Sequence, residues 1–168
     1  TSVKNGNGVF SYGTGNTGNI SDSTNRTTGD CSGGNQTTGG GTTNAAKLGV
    51  ENQGNPSAAL RSDRGGGTVD VNGGSYVTNG TGSPAVYSTA DVSVSDATLT
   101  ANNSEAVVVE GKNSVSLTDC NVTGNMTGTY QDDSENIHNI MIYQSMSGDA
   151  EVGEANFAAE GGVITAKS

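Results

Sequence analysis

The chain has 168 residues, with 27 glycines, no tryptophan, 4% aromatic and 30% hydrophobic residues. Leu, Ile, Val and Phe make up about 16% of it, below the roughly 20% under which a packed core becomes hard to build. A thick-cored helical bundle or sandwich is therefore disfavoured, and a disordered segment or a repetitive fold with a thin core stripe remains. The formal charge is −10, and the seven basic residues (Lys4, Arg26, Lys47, Arg61, Arg64, Lys112, Lys167) are scattered. No cationic stripe offers itself to nucleic acid or to an anionic membrane, and no apolar run approaches the ~20 residues of a membrane span.

Along the chain, a strand-like block first appears as Gly8-Val9-Phe10-Ser11. Ile20-Ser21-Asp22-Ser23-Thr24 follows and reads like Val94-Ser95-Asp96-Ala97-Thr98 much later. The first block returns as Ala59-Leu60-Arg61-Ser62, Ala85-Val86-Tyr87-Ser88 and Ala106-Val107-Val108-Val109. Weaker copies are Gly34-Asn35-Gln36-Thr37, Met141-Ile142-Tyr143-Gln144 and Gly162-Val163-Ile164-Thr165.

Between these copies a second block repeats without a gap at a spacing of 23: Val69-Asp70-Val71, Val92-Ser93-Val94 and Val115-Ser116-Leu117. The same offset superimposes Gly74, Ala97 and Cys120, then Tyr76, Leu99 and Val122, then Asn79, Asn102 and Asn125. Short alternating runs separated by Gly, Asn, Ser, Asp and Thr are strand and turn punctuation. The density of glycine and β-branched residues opposes helix.

Strands of equal phase every 23 or so residues predict a parallel β-helix, in which like side chains stack about 4.8 Å apart from coil to coil. The expected architecture is one domain over 1–168, all-β, with about six to seven coils. Asn79, Asn102 and Asn125 are expected to form an internal amide ladder, each side chain donating to the next, with a structural role.

The interval from Ala106 to Met141 is about 12 residues too long. The surplus, residues 128–139, is expected to project as a loop, where binding groups usually sit on a rigid scaffold. Asp132, Asp133, Glu135, Asn136 and His138 are its candidate ligand-binding residues. Asp132, Asp133 and Glu135 are the candidate ligands for calcium, the one cofactor that this sequence suggests. The spacing matches neither an EF-hand nor the glycine-aspartate nonapeptide of calcium-binding rolls. The same acids suggest a glycosidase pair, which requires a defined separation across a groove. Arg61, Asp63, Arg64 and Asp70 form a second charge cluster, read as surface ion pairs.

Cys31 and Cys120 fall several coils apart, beyond the ~7 Å between bridged Cα atoms, so free thiols are expected. A single His and no C-x-x-C oppose zinc. Thr98-Leu99-Thr100 and Thr127-Gly128-Thr129 raise an ice-binding face, but the two runs are isolated and do not read as in register between coils. The chain begins at Thr1 and stops at Lys167-Ser168 inside an apparent coil. It therefore reads as a fragment of a longer rod, or as one that associates end to end.

The runs Thr37-Thr38-Gly39-Gly40-Gly41-Thr42-Thr43-Asn44, Arg61-Ser62-Asp63-Arg64-Gly65-Gly66-Gly67-Thr68-Val69, Glu110-Gly111-Lys112-Asn113-Ser114-Val115 and Glu135-Asn136-Ile137-His138-Asn139 carry a resemblance over nearly the whole chain. The chain resembles large secreted β-helical proteins of gut Firmicutes, described as adhesin-like or carbohydrate-binding-like and belonging to the pectate-lyase-type superfamily. The resemblance implies a right-handed parallel β-helix and an extracellular or cell-surface location, with no reaction and no catalytic residue to carry over. Asn25, Asn35 and Gln36 depart from that pattern, where apolar residues are expected, and are expected to loosen the first coils.

The functional reading is a non-catalytic stalk or adhesin module with glycans or a host surface as partners. The alternative is a polysaccharide hydrolase or lyase working from residues 132–138. A third reading is an ice-binding surface.

Overall fold

The computed structural model describes residues 3–128, 137–144 and 150–167. All regular structure among them is strand. Six strands build the first sheet in the order β1 (Val9–Tyr12), β4 (Gly33–Thr38), β6 (Ala58–Ser62), β8 (Val86–Ser88), β10 (Val107–Glu110) and β13 (Ile140–Tyr143). The second sheet runs β2 (Thr17–Ser21), β5 (Gly41–Asn52), β7 (Gly67–Thr78), β9 (Asp91–Ala101), β11 (Ser114–Thr118) and β14 (Asn156–Glu160). Beside the second halves of its long strands lie β3 (Thr24–Thr27), β12 (Asn121–Gly124) and β15 (Val163–Ala166).

Every pairing is parallel, and each strand pairs with its counterparts one winding away. The protein is a parallel β-solenoid of about five turns. The sequence intervals gave six to seven coils because Gly162-Val163-Ile164-Thr165 was counted as a seventh copy of the first-sheet block. It lies instead in β15, which pairs with β12 in the second sheet and completes the same turn as β13.

One residue per turn bends the second sheet. Asp22, Lys47, Gly73, Asp96, Asp119 and Gly161 occupy successive rungs, with φ between 47° and 71°. This left-handed conformation costs an L-residue about 1–2 kcal/mol, and glycine and aspartate adopt it most readily. It also breaks the in-out alternation: Val94 and Ala97 are buried, while Ser95 and Asp96 both face away from the core. The strand therefore turns a corner, and the winding has three legs: the first sheet and the two halves of the second.

Inside, like lies on like. Val69, Val92, Val115 and Phe157 form one file, and Val71, Val94 and Leu117 the next. Tyr76, Leu99 and Val122 form a third, on the far leg. All but Phe157 are at most 4% exposed.

The first two turns are filled differently. Thr43 takes the place of Val69 in its file; its Oγ1 donates to Ser11 Oγ at 2.8 Å and lies 2.6 Å from Thr37 Oγ1. Asn25 Nδ2 donates to the Gly34 carbonyl at 2.5 Å and to Asn35 Oδ1 at 3.1 Å. The asparagines expected to loosen these coils thus cross-link consecutive rungs, and Gln36 points outward from β4, off the core. Asn52, fully buried, donates to the carbonyls of Ser32 and Ala58 and accepts from the Gly54 amide. Most of these buried polar groups are bonded, which is what makes them tolerable, while Asn35 Nδ2 and Thr27 Oγ1 are buried with no hydrogen-bond partner.

The turns stack as closely as the strands. A Cβ added at Gly54 would lie 2.0 Å from the Gly29 carbonyl oxygen, and one at Gly80 the same distance from that of Gly54. Ser57 Oγ accepts from the Ser32 amide and Ser83 Oγ from the Ser57 amide, each at 3.0 Å. These hydroxyls satisfy backbone donors that no strand pairs with.

Candidate functional site

The residues that alternate with the core files on the first leg of the second sheet point outward, and register aligns them. Asn19, Asn44, Asp70, Ser93 and Ser116 form one file, and Ser21, Ala46, Asn72, Ser95 and Thr118 another. They line a trough of about 580 Å³ that runs across five rungs.

Side chains within the trough hold one another in place. Asn44 Nδ2 donates to Asn19 Oδ1 at 2.9 Å, Asn72 Nδ2 to Ser95 Oγ at 3.2 Å, and Ser116 Oγ to Ser93 Oγ at 3.2 Å. Beside it, Ser114 Oγ donates to Asp91 Oδ1 at 2.7 Å. The result is a fixed array of amides and hydroxyls, one set per rung. Asp70 and Asp91 make the face negative, in a chain of net charge −10, so it disfavours polyanions and suits neutral hydroxylated ligands.

A different chemistry occupies the outer side of the first sheet. Glu110 is 1% exposed, the one charged side chain so buried among the described residues. Its Oε2 accepts from the Tyr87 hydroxyl and, at 3.1 Å, from that of Tyr143. Burial first, and then this bond to Glu110, push the Tyr87 phenol far above its ordinary range. With Glu110 sealed from solvent beneath the half-buried Tyr87 and Tyr143, the group pins β8, β10 and β13 together and does not present an acid to a substrate.

Asp132, Asp133, Glu135 and Asn136 lie outside the described residues, and with them the calcium reading. His138 is half-buried just before β13. Among the described residues no three His, Cys, Asp or Glu side chains stand together as a metal site. Cys31 and Cys120 are free, half-buried and buried respectively. Arg61 pairs with Asp63 at 3.1 Å on the first sheet, while Asp70 stands apart in the trough.

The asparagine file is present but faces the surface. Asn102 Nδ2 donates to Asn79 Oδ1 at 2.7 Å, whereas Asn125 Nδ2 donates to the Asn102 backbone carbonyl at 2.9 Å. The ladder is therefore external and only partly side chain to side chain. It sits at the far end of the second leg, where the exit to the turn leaves these positions outside the core.

Sequence reasoning passed over the trough although its signal was in hand. The middle residues of the 23-spaced triplets, Asp70, Ser93 and Ser116, are the trough file. No family model, curated protein or solved structure gives a significant match to this chain.

Proposed function

We propose that this chain is a non-catalytic solenoid module of a secreted or cell-surface stalk or adhesin, holding neutral glycans along the trough of the second sheet. The observation that carries this reading is the in-register array of amide and hydroxyl groups over five rungs. Such groups match the paired hydroxyls of a sugar chain, and strands fix them in advance, which lowers the entropy cost of binding. Affinity electrophoresis against neutral and acidic polysaccharides tests it. Retardation by a neutral polymer, weakened in Asn72→Ala and absent with polygalacturonate, is expected. Turnover of any polymer would overturn the non-catalytic reading.

An ice-binding surface is a second reading, favoured by one observation. Thr100, Thr123 and Thr165 stand in a single outward file on the second leg, beside Thr98 and Asn121. The Thr98-Leu99-Thr100 run is continued only at its last position, since its pairing partner is Asn121-Val122-Thr123, and Thr127 lies beyond that strand, out of register with it. Thermal hysteresis lost in Thr123→Tyr would support this reading, and its absence in the intact chain would end it.

A further inference from the structure

Two of the chain's seven aromatic residues, Phe10 and Tyr12, project from the outer side of β1 and are 54% and 62% exposed. Their rings are stacked, with centroids 6.0 Å apart and planes 21° from parallel. Single exposed apolar side chains need no explanation, but a stacked exposed pair is a surface prepared for something. The Tyr12 ring is also held from below, since a Cβ at Gly39 would lie 2.9 Å from Tyr12 Cε2.

The rungs beneath the pair carry planar polar groups. Gln36 lies directly under Phe10, and Arg61 under Gln36. Gln36, 9% exposed, donates from Nε2 to Asp63 Oδ2 at 2.7 Å. Arg61 Nη2 sits 3.1 Å from the same Asp63 oxygen, and Nη1 donates to the Cys31 carbonyl at 2.8 Å. An apolar platform thus adjoins a rigid group containing donors and acceptors, itself locked by charge-assisted bonds.

We infer that Phe10, Tyr12, Gln36, Arg61 and Asp63 form a saccharide-binding site on the first sheet, distinct from the trough of the second. A pyranose ring has one C–H-rich face, which packs on an aromatic surface, and vicinal hydroxyls, which require a donor and an acceptor close together. Both halves are present here, and the polar half is preorganised. Proline-rich peptides also stack on aromatic rings, but they make no use of a carboxylate, an amide and a guanidinium fixed side by side. This inference shares the ligand class of the reading above and not its surface.

Amide chemical shifts of the intact chain, followed during titration with cellohexaose, chitohexaose, xylohexaose and mannohexaose, test it. The expected result is saturable movement at residues 10–12, 36–39 and 61–64 with at least one sugar. Affinity at those amides should fall about tenfold or more in Tyr12→Ala and return in Tyr12→Phe. Tyr12 is exposed, so the variant folds. No movement there with any of the four sugars, or movement unaffected by Tyr12→Ala, would overturn the inference. Movement confined to residues 70–72 and 93–95 would also overturn it while supporting the trough. Movement confined to residues 10–12, 36–39 and 61–64 would support it and remove the trough reading.

Discussion

Thr43 reaches across the interior to Ser11 of the preceding rung, Oγ1 to Oγ at 2.8 Å, at a file position that Val69 and Val92 occupy further on. With Thr37 Oγ1 at 2.6 Å, three hydroxyls satisfy one another where the later turns use methyl groups. Thr43→Val keeps the shape but strands two buried hydroxyls, and should cost about 1–3 kcal/mol. Thr37→Val added to it should recover part of that loss. Urea midpoints at unchanged slope are the measurement, and a stabilised single variant would contradict this account.

The corner file makes a sharper contrast. Asp96 has φ 53° between Gly73 and Asp119 on neighbouring rungs. Asp96→Gly should leave stability unchanged or raise it slightly, because it relieves the left-handed conformation and one like-charge neighbour. Asp96→Val places a β-branched residue where it fits worst and should destabilise by about 2 kcal/mol. Thermal melts should therefore place Asp96→Gly at or slightly above the parent and Asp96→Val clearly below it.

Gly54 tests how closely the turns stack. Its missing Cβ would overlap a backbone oxygen at 2.0 Å, and backbone cannot swing aside as a flexible side chain can. Gly54→Ala should lower stability by roughly 2 kcal/mol or more, the range of severe packing and backbone strain. Gly15→Ala is the uncrowded comparison: its φ of 85° strains an alanine, but nothing lies within 4 Å of the added Cβ, so its loss should be smaller.

Alkaline pH probes the phenols of Tyr87 and Tyr76. Burial raises the Tyr87 hydroxyl far above the ordinary value near 10, its bond to Glu110 adds to this, and burial alone raises that of Tyr76. The folded state holds these protons more tightly than the unfolded chain. Stability is thus fully present below about pH 10 and is lost as pH rises beyond it. Tyr87→Phe should flatten that decline while lowering stability at neutral pH, by about 1–3 kcal/mol, because it leaves a buried acceptor short of a donor. Parallel pH profiles for the two proteins would refute the assignment.

What could be read from the sequence follows from what side-chain chemistry announces. Val69, Val92 and Val115 share one environment and one spacing, so their file was visible before any coordinates. The corner was not, because Lys47 and Gly73 look nothing like Asp22, Asp96 and Asp119; only the backbone angle unites them. The trough was hidden for the opposite reason. Asn, Ser, Thr and Asp fill the turns as well as the outward positions, and composition cannot tell a lining residue from a loop residue. Asn79, Asn102 and Asn125 were correctly stacked but placed on the wrong side of the wall, since phase within the 23-residue spacing says which residues align and not which way the last of them turns.

The change from hydroxyl-filled to aliphatic rungs gives this rod a direction. Each winding touches only its neighbours, so local stability varies along the axis almost rung by rung. Turns held by Ser11, Thr37 and Thr43 gain less from leaving water than those held by Val92, Leu99 and Val115. Under denaturant the hydroxyl-filled windings should open before the Val92 to Val115 windings, which persist as a template on which the opened part can wind up again.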